Sequence, residues 1–270
     1  MVEYSKRLRI LFIGDIFGEA GRKAVSSLLP HLVRENEVDF VIANCENAAG
    51  GKGVTPKLVE FLLNCGINVL TSGNHIWDRK EIIPYIGNQP RLLRPANFPR
   101  STPGNGYGIF ETVLGYKIGV INLCGNLFMD SYDHPFFTAS DLVEQISKQT
   151  NIVIVDFHAE ATSEKIAMGW YLDGKVSAVV GTHTHVQTAD ERILANGTAY
   201  ITDIGMTGPM NSVIGMNKEK VINRFLTLMP QKFEPAREDI WLHGVIIDLD
   251  PDSGRGLAIR RVAVPLDDSH

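Results

Sequence analysis

Cysteine is scarce in this chain: Cys45, Cys65 and Cys124 are the only three in 270 residues. Their number and irregular spacing exclude a disulfide framework and a zinc ribbon, so reduced, packed thiols in a cytoplasmic protein are expected. Long apolar runs are missing too, none approaching the roughly 18 residues of a membrane span. The segment from Met1 to Arg7 lacks the apolar stretch and small-residue cleavage site of a signal peptide. Positive charge is in deficit, with 26 Lys and Arg against 31 Asp and Glu and a net charge of −5. That balance argues against stable nucleic-acid binding through broad electrostatics. No repeat, low-complexity tract or linker interrupts the chain, and one domain over residues 1–270 is expected.

The first third reads as strand, helix, strand, helix, strand. Leu8 to Ile13 is a continuous apolar run of the kind buried on both faces of a sheet. A helical pattern follows through Val25, Leu28, Leu29 and Leu32, then a strand from Phe40 to Ala43. Thr55-Pro56 has the chemistry of a helix start and Gly66 that of a stop, before a strand from Ile67 to Leu70. This spacing predicts parallel βαβ units. Residues 84–108 and 126–136 read as loops, with strands at 109–114 and 117–123 turning at Gly115-Tyr116. Beyond a helix at 138–148, strands are expected at 152–155 and 176–180. Two hairpins follow, around Asn196-Gly197 and around 251–254. Residues 206–216 read as a Gly- and Met-rich loop and 218–228 as a helix. Parallel units first and hairpins later predict an α/β sandwich of two mixed β-sheets flanked by helices.

Five apolar runs end in polar side chains of the types that bind metals. They deliver Asp15, Glu46 with Asn47, Asn74 with His75, His158, and His183 with His185. In open α/β folds the strand exits are where ligands sit. His183 and His185 would face opposite ways on extended chain, and Gly181 is expected to permit a turn that brings them together. A mixed His, Asp, Glu and Asn set suits zinc, iron or manganese. Even without His75, the seven remaining donors exceed the needs of one tetrahedral ion and fit two ions sharing a carboxylate. Cys45, beside Glu46, reads as a packed thiol, and His31, His134, His243 and His270 read as structural. The glycine-rich stretch 48–53 lacks the spacing of a phosphate loop and is expected to be a mobile segment flanking substrate.

The order Gly14-Asp15-Ile-Phe17, Glu46-Asn47, Gly73-Asn74-His75, His158 and Gly181-Thr-His183-Thr-His185 resembles the calcineurin-like metallophosphoesterase superfamily. The stretches Gly-Asp-Ile-Phe-Gly, Glu-Asn-Ala-Ala-Gly-Gly-Lys-Gly and Thr-Ser-Gly-Asn-His-Ile-Trp-Asp are similar more narrowly to its YmdB-like branch. The resemblance implies a metallophosphoesterase-type sandwich and a metal-dependent phosphodiesterase acting on a small phosphodiester, 2′,3′-cyclic nucleotides in particular. It implies two divalent or mixed-valence ions, iron or manganese before zinc. Asp15, Asn47 and His185 would hold one, Asn74, His158 and His183 the other, and Glu46 would bridge. A hydroxide between the ions would attack phosphorus, with His75 as general acid. Phe17 stands where the superfamily has a ligand histidine, and the Asn47 amide oxygen is expected to fill that place. Ile76 replaces the usual acidic neighbour of the third-block histidine, with Asp78 two positions on. No residue pattern identifies the substrate-binding contacts, and an assembly of identical subunits is compatible with the sequence.

Two other readings compete. Gly14, Gly18 and Gly21 after the first strand suggest a dinucleotide-binding oxidoreductase, though the spacing departs from the usual one and leaves the later donors unexplained. A regulatory protein that keeps the metal site with little turnover is the third.

Overall fold

The apolar run Leu8–Ile13 forms β1, in which every residue but Arg9 is buried. In this computed structural model residues 7–130 and 133–267 are described, so all but Arg7 of the segment read for a signal peptide lies outside them, as do His270 and the tip of the 126–136 loop. β2 (Asp15–Ile16) follows, and α1 (Gly18–Glu35) lays Val25, Leu28, Leu29 and Leu32 on the sheet. β3 (Phe40–Asn44) pairs parallel with β1. α2 (Pro56–Asn64) begins as its sequence requires, the Thr55 hydroxyl accepting from the Leu58 N–H and Pro56 taking the first position. Gly66, at φ +103°, stands beyond its end, and β4 (Val69–Thr71) pairs parallel with β3.

A short 3₁₀ turn and α3 (Ile83–Ile86) open the irregular middle stretch. β5 (Tyr107–Glu111) and β6 (Lys117–Cys124) are antiparallel, joined by a turn over 112–116 that is longer than the tight one expected. α4 (Pro135–Ser147), β7 (Val153–His158), α5 (Thr162–Leu172) and β8 (Ala178–Thr182) come next. β9 (Arg192–Ile193) and β10 (Ala199–Ile201) flank Asn196-Gly197 as an antiparallel pair. β11 (Met206–Pro209), α6 (Lys218–Thr227), β12 (Ile240–Leu249) and β13 (Gly256–Pro265) complete the chain.

The strands form two sheets. One has the order β2-β11-β12-β1-β3-β4 with β13 on β12, the other β5-β6-β7-β8-β10-β9. Phe12, Ile42, Val69 and Val245 of the first meet Val120, Ile154, Val180 and Ile201 of the second in an apolar layer between them. The outer face of the first sheet packs on α1 and α2, that of the second on α4 and α5. The result is the expected sandwich, helices outside and two mixed sheets within.

Besides the short β2 and α3, two elements depart from the sequence reading. Residues 206–209 are strand, not loop, because β11 finds partners on both sides, parallel to β2 and antiparallel to β12. α5 has no counterpart in the expected elements. Its buried face carries Glu164, Lys165 and Gly169 beside Met168 and Leu172, which masks the apolar periodicity.

Candidate metal centre

The parallel strands of both sheets end at one rim, and the donors gather there. Asp15 lies in β2, Glu46 and Asn47 follow β3, and Asn74 and His75 follow β4. From the second sheet His158 ends β7, while His183 and His185 follow β8. A buried polar layer beneath them ties the sheets together. The Asn122 side chain accepts from the Ser72 N–H (3.0 Å) and donates to the Ser72 carbonyl (3.0 Å), and Asn44 Nδ2 donates to Asp156 Oδ2 (3.1 Å).

Within the rim, His158 Nε2 is 3.0 Å from Glu46 Oε1, 3.0 Å from His183 Nδ1 and 3.2 Å from Asn74 Oδ1. One ring nitrogen cannot satisfy three such acceptors with one proton. Alongside, His185 Nε2 is 3.2 Å from Asn47 Oδ1 and 3.9 Å from Asp15 Oδ1. Asp15 Oδ1 is buried and has no hydrogen-bond partner among the described residues. The Gly73 backbone closes over the group so tightly that a Cβ there would stand 2.2 Å from both Glu46 Oε2 and His158 Nε2. Converging lone pairs and an orphaned buried carboxylate oxygen are what a cation site requires. The residues fit a divalent metal, with Glu46, His158 and His183 the tightest group.

The histidines are oriented from behind. His158 Nδ1 donates to Thr182 Oγ1 (2.8 Å), whose own proton goes to Asp156 Oδ1 (2.7 Å). His183 Nε2 donates to Glu160 Oε2 (3.2 Å) and His185 Nδ1 to the Ile214 carbonyl (3.0 Å). Each outer nitrogen is thereby a donor, so a ring that gives up its inner proton turns that nitrogen's lone pair to the cluster. Charge follows the same plan. Burial lifts the Asp15 carboxyl to the weak-acid side of its usual range, more than His185 and His158 pull it back. Burial also opposes ionisation of Glu46, but the neighbouring His158 wins and holds it below the usual carboxylate range. His158, despite its burial, is raised by Glu46 and Asp15. Burial and the His158 charge push His183 down to about 3, so its ring stays neutral.

The turn that presents His183 and His185 differs from the one expected. Gly181 lies inside β8, and a Cβ there would be 1.7 Å from the Thr202 carbonyl oxygen, so its glycine answers a close strand approach and not a turn. The histidines themselves bend the chain, at φ +98° and +66°. Thr184, between them, is held through its N–H and hydroxyl by Asp203 Oδ2 (3.1 and 2.7 Å). Lys165 Nζ donates to that same oxygen (2.6 Å), both side chains being almost wholly buried. The pair compensates charge in a dry place, and left-handed histidines persist only where surroundings over-determine them. Lys165→Met is therefore expected to destabilise the fold by about 3–5 kcal/mol, since it strands the Asp203 charge. Denaturant unfolding measures this, and a change under about 1 kcal/mol would show that the pair does not brace the turn.

Other expectations are met or revised nearby. Asp78 Oδ2 accepts from His75 Nδ1 (3.1 Å), so Asp78 supplies the orienting carboxylate that Ile76 cannot. The 48–53 stretch is pinned, not loose. Arg79 donates to the carbonyls of Ala49 (2.5 Å) and Lys52 (3.1 Å), Arg22 to that of Ala48 (2.5 Å), and Asn47 Nδ2 to that of Gly51 (3.0 Å). The last bond turns Asn47 Oδ1 toward His185. Phe17 sets its ring edge on His185, centroids 5.7 Å apart. Cys45 is buried and its thiol pushed up by burial, as a packed thiol should be. Gly14 and Gly21 press against the main chain at Gly205 and Thr207, which fills the approach a dinucleotide pyrophosphate would need. A cleft of about 400 Å³ opens over the centre, with His75, Lys52 and Glu160 on its walls. Thr182, Asp156 and Glu160 were not singled out from sequence; only the same-face spacing of Asp156 and His158 on β7 hints at them.

Three relatives share this chain along almost all its length. A protein of Bacillus subtilis (strain 168) described as a 2′,3′-cyclic-nucleotide 2′-phosphodiesterase is 49% identical over 257 residues, 95% of this chain and 97% of that one. A crystal structure of a hypothetical protein from Thermus thermophilus superposes with a TM-score of 0.90 at 41% identity, covering 96% of this chain and 100% of that one. A Mycoplasma pneumoniae structure described as a novel phosphatase gives a TM-score of 0.91 at 36% identity, over 98% and 96% of the two chains. The family described as YmdB-like protein matches residues 11–262.

Proposed function

The chain belongs to the YmdB-like family, and on that premise we propose that it is a metal-dependent phosphoric diester hydrolase cleaving 2′,3′-cyclic nucleotides at two divalent cations. The observation that carries the reading is the convergence of seven nitrogen and oxygen donors from both sheets, four of which line the cleft that also holds His75. Asn74, His158 and His183 would hold one cation, Asp15, Asn47 and His185 the other, with Glu46 between them. A donor set without thiolate suits iron or manganese, with zinc next. Bound there, the cations supply Lewis acidity, lowering the pKa of water and offsetting charge that builds on the phosphoryl oxygens.

The chain's own part is positional and protonic. The His75 N–H donates to Glu46 Oε2 (3.2 Å), which fixes the residue beside the donor cluster. With Nδ1 committed to Asp78, Nε2 is the nitrogen that remains to hold a proton and pass it to the departing 2′-oxygen. Cleavage of that ester leaves the phosphate on the 3′-oxygen. All three cysteines are free, and no described helix is long and apolar enough to cross a membrane, in keeping with work in a reducing cytoplasm.

The test is product identity. With iron(II) or manganese(II) supplied, 2′,3′-cyclic AMP is expected to yield the 3′-monophosphate, followed by phosphorus NMR. Failure to cleave any diester with either metal, or cleavage of monoesters alone, would overturn the reading.

A further inference from the structure

One residue of the cleft has a conformation that stability alone does not explain. Ile214 sits at φ +46°, in the left-handed region that β-branched residues avoid, yet its side chain is 56% exposed. An exposed left-handed position is one that glycine or asparagine fills at less cost. A strained, solvent-facing apolar residue on a binding cleft has the marks of a contact kept for a ligand. The strain is held by a closed turn. Val213 and Met216 exchange both of their main-chain hydrogen bonds (2.9 and 3.0 Å), and the Gly215 N–H donates to Ser212 Oγ (2.9 Å). Phe17 lies beneath, so close that a Cβ on Gly215 would be 2.6 Å from its ring.

This turn stands one imidazole's width from the metal centre. The Ile214 carbonyl accepts from His185 Nδ1, and the opposite nitrogen of that ring faces Asn47 and Asp15. The cleft thus has two kinds of wall. The donors and His75 form the polar one, where a phosphoryl group belongs, and Ile214, Met216 and Phe17 form an apolar one beside it. A cyclic nucleotide is divided in the same way, with a charged phosphodiester at one end of the ribose and a flat, largely apolar base at the other. A volume of about 400 Å³ falls in the range of sites that enclose small ligands.

We propose that Ile214, backed by Met216, is the platform on which the nucleobase of the substrate rests, making this turn the element that distinguishes a nucleoside cyclic phosphate from a cyclic phosphate without a base. The inference rests on the diesterase reading above and adds a specificity residue to it. Because the platform is apolar and bears on a ring face, it favours nucleosides over small alkyl diesters without choosing among bases by hydrogen bonds.

The experiment compares ratios, so that any disturbance passed through His185 cancels. Binding of adenosine 3′-monophosphate and of inorganic phosphate to the metal-loaded protein is measured by calorimetry for wild type, Ile214→Gly and Met216→Ala. Glycine accepts the backbone angle while removing the platform, and the melting temperature reports that the fold is kept. The ratio of nucleotide to phosphate affinity is expected to fall about tenfold in Ile214→Gly, the size of effect for one exposed aliphatic contact. A smaller fall in the same direction is expected in Met216→Ala. The ratio of kcat/KM for 2′,3′-cyclic AMP to that for glycerol 1,2-cyclic phosphate should drop in parallel. An unchanged affinity ratio in Ile214→Gly overturns the proposal, as does a wild type that binds the nucleotide no better than phosphate. Nucleotide binding that follows the expected ratios without diester turnover would count against the hydrolytic reading alone.

Discussion

Stripping the protein of divalent cations with a chelator, followed by desalting, is expected to lower hydrolysis of bis-p-nitrophenyl phosphate by more than about a thousandfold. Iron(II) or manganese(II) should restore it. Removing a single electrostatic stabiliser of a developing oxyanion typically costs about 10²–10³ in turnover, and here both cations would be lost at once. The chain has little to put in their place. Lys52 is the only lysine or arginine among the described residues on the cleft wall, and Asp15 and Glu46 would repel a phosphodiester that had no cation between it and them. Elemental analysis of the purified protein gives the stoichiometry, with two ions per chain expected. Full turnover in a sample with no detectable metal would sink the mechanism.

The same cluster sets the pH dependence of loading. Without a cation to share, Glu46 and Asp15 keep His158 protonated well above the usual histidine range, against the pull of burial. A metal must displace that proton to reach Nε2, so the apparent affinity rises as the proton becomes easier to remove. Sign and size follow: between pH 6 and 8, below the raised His158 value, affinity should increase about tenfold per pH unit for each proton released. His183, already neutral, adds nothing to that slope. Proton release near zero on metal addition, measured by calorimetry in buffers of different ionisation heat, would show that His158 is not a ligand.

The donors were legible because they sit at places that sequence marks twice. An apolar run locates each strand end, and the residue type beyond it states the chemistry, so Asp15, Glu46, Asn74, His158 and His183 could be found without coordinates. The residues that brace them carry no such mark. Lys165 lies on a helix that its own charge disguised, and its partner Asp203 is 38 positions away. Glu160 and Thr182 become meaningful only once the tautomers of His183 and His158 must be accounted for. Gly181 reads as a turn from sequence, and Gly73 as part of a motif. Neither has a positive φ; each is small because something else occupies the space, the Thr202 carbonyl in one case and the donor cluster in the other. A pattern along the chain shows where backbone stops being regular, but not which distant atom arrives there. Ile214 escaped for the same reason, since a residue's φ has no signature in a Gly- and Met-rich stretch.

His75→Ala is expected to lower kcat on 2′,3′-cyclic AMP by about 10²–10⁴ while the metal content holds. The leaving groups of the two substrates differ. The 2′-oxygen of a ribose departs as a poor leaving group and needs a proton as the bond to phosphorus breaks, whereas p-nitrophenolate carries its charge away unaided. A residue whose task is to hold that proton on Nε2 should therefore matter greatly for the cyclic nucleotide and little for bis-p-nitrophenyl phosphate. The geometry separates this role from metal binding: the ring is tied through Nδ1 to Asp78, and only the main-chain N–H of His75 reaches a donor, Glu46 Oε2. Alanine keeps that N–H, so loading should survive the substitution. Equal losses on both substrates with metal retained would show that His75 positions the phosphoryl group and transfers no proton. Loss of metal with the ring would place His75 among the ligands, and Asp78 behind a ligand in place of an acid.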